Sequence, residues 1–532
     1  MSKRLVKASL LLSFVTAGII MTGSLTGCAV SHKTIKEAPT PTTSAKADEY
    51  PVPVYATSLK GQKICLDPGH GGDADVPNYK RGPSGVREAE VNLRVALYLQ
   101  KWLEECGAQV YLTRTTDVFV GLRERSVFAD TCGAEYFVSM HHNAVSNPSV
   151  NFTSTWYHAS PDYGPLNLDI ARYIQDGVGH ALGLPFRTSI PLKSDYTIYP
   201  DAGFAVLRNT HIPAALCEAS FHSNPVEEKK LDNPDYNKRE AYGYFVGLAK
   251  LFYSGIPQAE IISPSSVVSE RNPLIQFKID DGLKGRQILE DTLTVKLDGQ
   301  SIPYTYDRSS GVISAVSLTP LTNNYHTAQV HFMNLNKTSV YPKPLKFQVA
   351  PPLASLSVKA YPTSYPDNGE TIGCMKVEAS DAEGNPVADG MELNLSADQG
   401  VVLTSKLTTL NGYALGYWQA PAQKGSVVIT AAKGNILGVA GLSIESSSRA
   451  LLQGKIFYAN SNKPVEKAQI AITSLSDHPI TESLPDGFFS LSGVYPGSHW
   501  VVVTAPGCKE LRIPMEFKAN QTAKIQVNME AD

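Results

Sequence analysis

Three short apolar runs of this 532-residue chain end in a side chain that can bind a metal or move a proton. Leu66 leads into Asp67-Pro68-Gly69-His70, Met140 into His141, and Cys217 into Glu218. If the runs are strands of one parallel sheet, their carboxyl ends share an edge, and open α/β folds bind ligands just outside that edge. His70, His141 and Glu218 can then meet although they are distant in sequence. A fourth group, Glu88, opens the amphipathic helix expected after the first strand and its Gly-rich loop, so it belongs to the same edge. Two neutral imidazoles and one carboxylate make a catalytic zinc set, with the fourth position left to water. His70, Glu88 and His141 fit the ligand roles, and Glu218 fits an unligated carboxylate that shuttles protons. Spacing alone leaves another account open, in which the histidines cap strand ends and Glu88 only favours a helix start.

The elements that must position these residues are legible over 60–255. Strand-like runs Lys63-Ile64-Cys65-Leu66, Gln109-Val110-Tyr111-Leu112, Tyr136-Phe137-Val138-Ser139-Met140 and Pro213-Ala214-Ala215-Leu216-Cys217 alternate with helical patterns. Val91, Val95, Leu99 and Trp102 share one helix face, and Ala241, Phe245, Leu248 and Phe252 another; further helices are expected over 122–129 and 165–182. This alternation predicts an α/β domain on a mostly parallel sheet. The segment 186–204, with Pro191 and Pro200, lacks helical periodicity and reads as a loop bordering the cleft or acting as a lid.

After Pro257 the helical period stops. Alternating runs such as Thr292-Leu293-Thr294-Val295-Lys296-Leu297 are separated by turn clusters such as Asp307-Arg308-Ser309-Ser310-Gly311. Breaks near Ala350-Pro351-Pro352 and Ser446-Ser447-Ser448 divide this part into pieces over 260–350, 352–446 and 449–532, each sized for one β-sandwich. The expected fold is therefore multidomain, an α/β domain followed by three β-sandwich domains.

With 47 basic and 50 acidic residues the net charge is -3, which supplies no field for a nucleic-acid partner. At the N-terminus, Lys3, Arg4 and Lys7 precede an apolar run over 8–25, the pattern of an export signal, with an uncleaved anchor as the alternative. Leu25-Thr26-Gly27-Cys28 resembles the bacterial lipobox, which implies a signal peptide over 1–28 and lipidation of Cys28. Residues 29–59, with Pro39 and Pro41 among threonines, read as a flexible tether. Either reading places the rest outside the cytoplasm. In a two-membrane bacterium, Ala29 after the lipidated cysteine would favour the outer membrane, facing the periplasm. The other six cysteines show no zinc-like spacing and support no disulfide assignment; Cys65 and Cys217 lie inside apolar runs, as buried thiols do.

Residues 63–255 resemble the zinc-dependent N-acetylmuramoyl-L-alanine amidase family, the type-3 amidase domain. The matching blocks are Lys63-Ile64-Cys65-Leu66-Asp67-Pro68-Gly69-His70-Gly71-Gly72, Arg87-Glu88-Ala89-Glu90-Val91-Asn92-Leu93, and Leu112-Thr113-Arg114-Thr115-Thr116-Asp117 with Leu122 and Arg125. Phe137-Val138-Ser139-Met140-His141-His142-Asn143-Ala144, Val206-Leu207-Arg208 and Pro213-Ala214-Ala215-Leu216-Cys217-Glu218 with Ser223-Asn224 complete the order. The resemblance implies that His70, Glu88 and His141 bind Zn2+ and that Glu218 is the catalytic carboxylate. It implies an enzyme of the cell envelope that cleaves the amide between the lactyl group of N-acetylmuramic acid and L-alanine in peptidoglycan. A noncatalytic wall-binding lipoprotein and a zinc peptidase on another substrate are the rival readings.

Several positions depart from the family's pattern or stay open. His142 stands where relatives usually carry a small residue, and strand alternation turns it away from His141. Ala219-Ser220-Phe221-His222 is less glycine-like than usual, and the segment from Pro185 to Lys193 replaces an arginine-glycine stretch. Arg114, Arg125 and Arg208 are either ligands for stem-peptide carboxylates or structural pairs. Trp156-Tyr157-His158 is either a sugar-stacking strip or a core strand. In the tail, 352–445 resembles bacterial Ig-like domains of the invasin type through Ala379-Ser380-Asp381-Ala382-Glu383-Gly384-Asn385-Pro386-Val387. Residues 451–530 resemble carboxypeptidase regulatory-like domains through Lys463-Pro464-Val465, Pro485-Asp486-Gly487-Phe488-Phe489 and Ala505-Pro506-Gly507. Such modules act as spacers, or hold the wall or an envelope protein partner; fold alone does not choose.

Overall fold

In the computed structural model, residues 50–184, 192–283, 285, 287–475, 477 and 479–531 are described. The expected signal peptide, the lipidated Cys28, the tether up to 49 and the loop residues 185–191 lie outside them. Among the described residues no helix is long and apolar enough to cross a membrane.

The first region contains β1 (Lys63–Pro68), α1 (Glu88–Glu105), β2 (Gln109–Leu112), α2 (Leu122–Thr131), β3 (Tyr136–Asn143) and β4 (Ser154–Tyr157). It continues with α3 (Pro165–Leu182), β5 (Leu192–Ser194), α4 (Ala205–Arg208), β6 (Ala214–Phe221), α5 (Pro225–Leu231) and α6 (Pro234–Tyr253). The strands order as β2-β1-β3-β6-β4-β5. The pairs β1–β2, β1–β3, β3–β6 and β4–β5 are parallel, while β4 runs antiparallel to β6, so the sheet is mixed. Ile64, Leu66, Phe137, Val138, Ala215 and Leu216 are buried, the near-continuous apolar run that strands covered on both faces require. Residues of one parity, including Cys65, Phe137 and Leu216, pack with Ala129 of α2 and Val206 of α4. The opposite face is covered by α1, α3 and α6, which also pack on one another.

The helices form where the apolar spacing requires them. In α1, Val91, Val95, Leu99 and Leu103 recur every four residues and are buried. Pro165, Pro225 and Pro234 begin α3, α5 and α6, where the missing N–H leaves no bond unmade, and Asn224 and Asn233 cap the last two through their side-chain oxygens. Helices α3 and α6 touch backbone to backbone: a Cβ on Gly177 would lie 2.2 Å from the carbonyl oxygen of Gly243.

Three features depart from the sequence expectations. The tether reading does not extend over Val54–Leu59, a 3-10 turn whose Ala56 and Leu59 are buried and whose Ser58 Oγ donates to the Ala249 carbonyl at 3.1 Å. The loop reading of 186–204 fails at β5, which adds an edge strand beside β4. Nor is the later half of that segment a free lid, because buried Asp195 accepts from the N–H groups of Ala159 and Phe204 and pairs with His158 at 2.8 Å. Isolated polar residues gave no period there, and the strand is set by its neighbour.

Beyond Tyr253 the chain is almost wholly β. Residues 258–349 form a four-stranded and a five-stranded sheet enclosing Phe277, Val295, Ile313, Val330 and Phe347. Residues 355–445 form a second pair around Val377, Trp418 and Ile429, and 450–529 a third around Ile456, Phe489, Val501 and Phe517. The first pair is stapled to the α/β region by Asn334, whose buried amide donates to the carbonyls of Ser254, Gly255 and Asp281 at 2.9–3.1 Å.

Candidate active site

The β1 strand ends in Pro68, and the following loop is bent back onto β3 by a hydrogen bond from Gly69 N to the Met140 carbonyl. A Cβ on Gly69 would lie 2.1 Å from the His141 imidazole, so only glycine lets that ring stand beside the loop. His70 follows at φ 59°, a left-handed conformation costing a non-glycine residue roughly 1 kcal/mol and typical of functional sites. Its ring stands edge-on to that of His141 with centroids 4.9 Å apart.

Two buried arginines hold this loop. Arg125 of α2 pairs with Asp67 at 2.6 Å and donates to the carbonyls of Pro68 and His70. Arg114 donates to the carbonyls of Pro68, Gly69 and Ala89. The structural alternative therefore holds for both, and Arg208 likewise spends a guanidinium nitrogen on the Ala202 carbonyl. Burial by itself would raise the Asp67 carboxyl, but the Arg125 charge and the hydroxyls of Thr113 and Ser139 hold it below the ordinary range.

Glu88 is the first residue of α1, and the loop before it is pinned on both sides. Arg87 pairs with Asp73 and Asp117, while the Glu228 carboxylate of α5 accepts from the N–H groups of Ser84 and Val86. The Glu88 side chain is 1% exposed, and its Oε1 lies 3.0 Å from His141 Nδ1 and 3.3 Å from His70 Nε2. One donor atom from each residue falls within 4.8 Å of the others. Burial opposes the Glu88 charge, yet the hydrogen bonds of His141 and His70 keep its carboxyl well below the ordinary range, and burial pushes His141 down. An anionic carboxylate and a neutral imidazole are the forms that bind a metal, so this N, N, O set fits a zinc ion.

Glu218 stands opposite His141 in the β3–β6 register. Its Oε2 is shielded and has no hydrogen-bond partner. Burial, and then the charge of Glu88, push its carboxyl up to about 8. A group poised near neutrality can both take and return a proton.

His142 is turned away from His141, as strand alternation requires. It is buried, with Nδ1 2.8 Å from Asn92 Oδ1 and Nε2 3.0 Å from Glu240, and its backbone N–H donates to Glu88 Oε1. Trp156 takes the core alternative, 6% exposed in the apolar cluster beneath β6. Cys65 and Cys217 are buried free thiols. One residue near the site went unassigned in the sequence. His222 is buried, with Nε2 3.5 Å from Glu88 Oε2. The signal was available, since His222 also follows an apolar run at a strand end, but a histidine four residues past Glu218 has no spacing rule of its own.

Comparison with known proteins bears on the same region. Residues 64–250 match the family model of N-acetylmuramoyl-L-alanine amidase. The chain is 29% identical over 212 residues to the germination-specific N-acetylmuramoyl-L-alanine amidase of Bacillus subtilis (strain 168), covering 37% of this chain and 83% of that protein. It is 29% identical over 197 residues to the probable cell wall amidase LytH of Staphylococcus epidermidis, covering 37% of this chain but only 60% of that relative. Among solved structures, the catalytic domain of CwlV, an N-acetylmuramoyl-L-alanine amidase from Bacillus (Paenibacillus) polymyxa var. colistinus, is 28% identical over 36% of this chain and 97% of its own, with a TM-score of 0.31. The family match and these sequence relatives support an N-acetylmuramoyl-L-alanine amidase function for residues 64–250.

Proposed function

We propose that the chain is a zinc-dependent amidase of the cell envelope that hydrolyses the bond between the lactyl group of N-acetylmuramic acid and L-alanine in peptidoglycan. The observation that carries this reading is the meeting of His70, Glu88 and His141 within 4.8 Å at the sheet edge, with Glu218 opposite His141. Bound there, zinc would supply Lewis acidity, lowering the pKa of a water towards ~7 and polarising the amide carbonyl. Glu218 accepts the proton of the attacking water and delivers it to the departing amine, the relay expected of an unligated carboxylate opposite His141. Glu88 remains anionic, and Gly69 and the two arginines keep the histidines in place.

The lipobox-like Leu25-Thr26-Gly27-Cys28 supports anchoring through Cys28, on the outer membrane in a two-membrane bacterium. The three pairs of sheets support three β-sandwich modules over 260–350, 352–446 and 449–532 that act as spacers or grip the wall or an envelope partner. Digestion of purified sacculi followed by mass analysis of the fragments tests the whole reading. Free stem peptides beginning with L-alanine are expected. Cleavage inside the peptide would favour the zinc-peptidase reading, and no release by metal-loaded protein would favour the wall-binding one.

A further inference from the structure

One buried imidazole beside the site has no role in the chemistry above. His222 follows β6 directly, its side chain is 5% exposed, and neither ring nitrogen has a hydrogen-bond partner. Glu88 Oε2, also buried, lacks a partner too, and the two unsatisfied groups face each other across 3.5 Å. Each such orphan is costly on its own, so a pair of them in contact at a metal-binding carboxylate calls for a reason.

The backbone places His222 there by a local irregularity. Between the pairs His141–Glu218 and Asn143–Phe221, strand β6 carries one residue more than β3. Such a bulge bends a strand and re-aims the side chains after it. His222 N then donates to the Asn143 carbonyl at 3.0 Å, which fixes the new course. The two oxygens of Glu88 thereby acquire different surroundings. Oε1 faces His70 and His141 and receives the His142 N–H, whereas Oε2 faces His222. His222 does not join the three donor atoms that cluster within 4.8 Å.

We infer that His222 is a positioning residue for the metal centre: its Nε2–H donates to Glu88 Oε2, which holds the carboxylate to bind through Oε1 alone and strengthens metal binding. The 3.5 Å separation is at the outer limit of a hydrogen bond, and a shift of about 0.5 Å in the carboxylate brings it to ordinary length. Partners that orient a ligand from behind typically change metal affinity by about 10- to 100-fold. This inference rests on the zinc reading of the site.

The test is a chelator competition with Zn2+ on the full chain, together with thermal melting of the metal-free protein. His222→Leu is expected to weaken zinc binding by about 10- to 100-fold without lowering the melting temperature of the metal-free protein, in which the two groups stand 3.5 Å apart and make no hydrogen bond. His222→Gln, whose amide nitrogen stands near the place of Nε2, should recover most of the affinity. His222→Asn, whose amide matches Nδ1, should not. A wild type that binds no zinc overturns the metal reading itself. Wild type and His222→Leu binding zinc equally, or His222→Leu losing both affinity and metal-free stability, leaves the metal reading standing and overturns the role of His222. If the leucine variant does not fold, the same decision falls to glutamine against asparagine, and equal affinities for those two overturn the proposal.

Discussion

The α/β region and the β tail use buried polarity in opposite ways. In the first, Asp67, Glu88, His142, Glu227 and Glu240 are buried, and several of them crowd the carboxyl edge of the sheet beside atoms with no partner, Glu88 Oε2 and Glu218 Oε2. In the tail the enclosed clusters are apolar, and buried amides work at the junctions: Asn334 binds three carbonyls, and Gln453 spans to the backbone N–H and carbonyl of Ile372 in the preceding pair of sheets. Unsatisfied polarity is costly, so its concentration at one strand edge points to a site, whereas the amides of Asn334 and Gln453 spend theirs across joints. The lesson is that burying polar groups does not by itself identify chemistry, whereas leaving them unpaired at one strand edge does.

The largest effect that would break this comparison lies at Glu218. Glu218→Gln should keep zinc and lose amide cleavage by about 100- to 10,000-fold, the usual share of a general acid or base; metal analysis beside fragment release measures both, and near-normal turnover would remove Glu218 from the chemistry. Next come the proposed zinc ligands. His70→Ala, Glu88→Ala or His141→Ala should lose bound zinc in metal analysis of the purified protein, with activity falling as the metal does.

Gly69→Ala sharpens the comparison, since it removes no ligand. Its Cβ would stand 2.1 Å from the His141 ring, so zinc affinity should drop although all three donors are present. Unchanged affinity in the chelator assay would mean that the loop can yield.

A smaller effect should appear in the pH dependence of the metal-free fold. Glu218 titrates near 8 when folded, above its ordinary 4.5, so the folded state holds that proton more tightly than the unfolded chain. Its contribution is intact below pH 4.5 and is lost as pH rises towards 8. Asp67, held below its ordinary 3.8 by Arg125, acts in the other direction: its contribution is present above that pH and is lost as pH falls through the lowered value. Denaturant melts of wild type and Glu218→Gln across this range should differ on the alkaline side, and superimposable curves would contradict the raised carboxyl. The smallest effect belongs to the joint. Asn334→Ala should cost about 1–3 kcal/mol of stability by orphaning buried carbonyls and leave turnover on soluble muropeptide unchanged.

Much of the catalytic region was readable because its signals are periodic. The helix over 165–182 and the strands carrying Leu66, Met140 and Cys217 follow from apolar spacing, and the same spacing turned His142 away from His141; the strands run on to Pro68, Asn143 and Phe221, so His141 and Glu218 lie within them rather than past their ends. The antiparallel course of β4, the short β5 and the helix α5 were not readable. Four residues or fewer carry too little period in the two strands, and α5 holds its place through a cap and the Glu228 contacts rather than an apolar stripe. Arg114 and Arg125 show the same limit at the site: a guanidinium that could meet a substrate carboxylate looks identical in sequence to one that binds Asp67 and loop carbonyls.

By itself the sequence determined which residues could do the chemistry and on which edge they would gather, because residue type and strand period are local properties. Only the tertiary structure decided how the carboxylate of Glu88 is shared, with Oε1 towards the histidines and Oε2 towards His222, and that burial beside the charge of Glu88 would push the Glu218 carboxyl up to about 8. Both depend on how much water is excluded and on a one-residue slip between β3 and β6, quantities set by the packing of distant segments that no local pattern encodes.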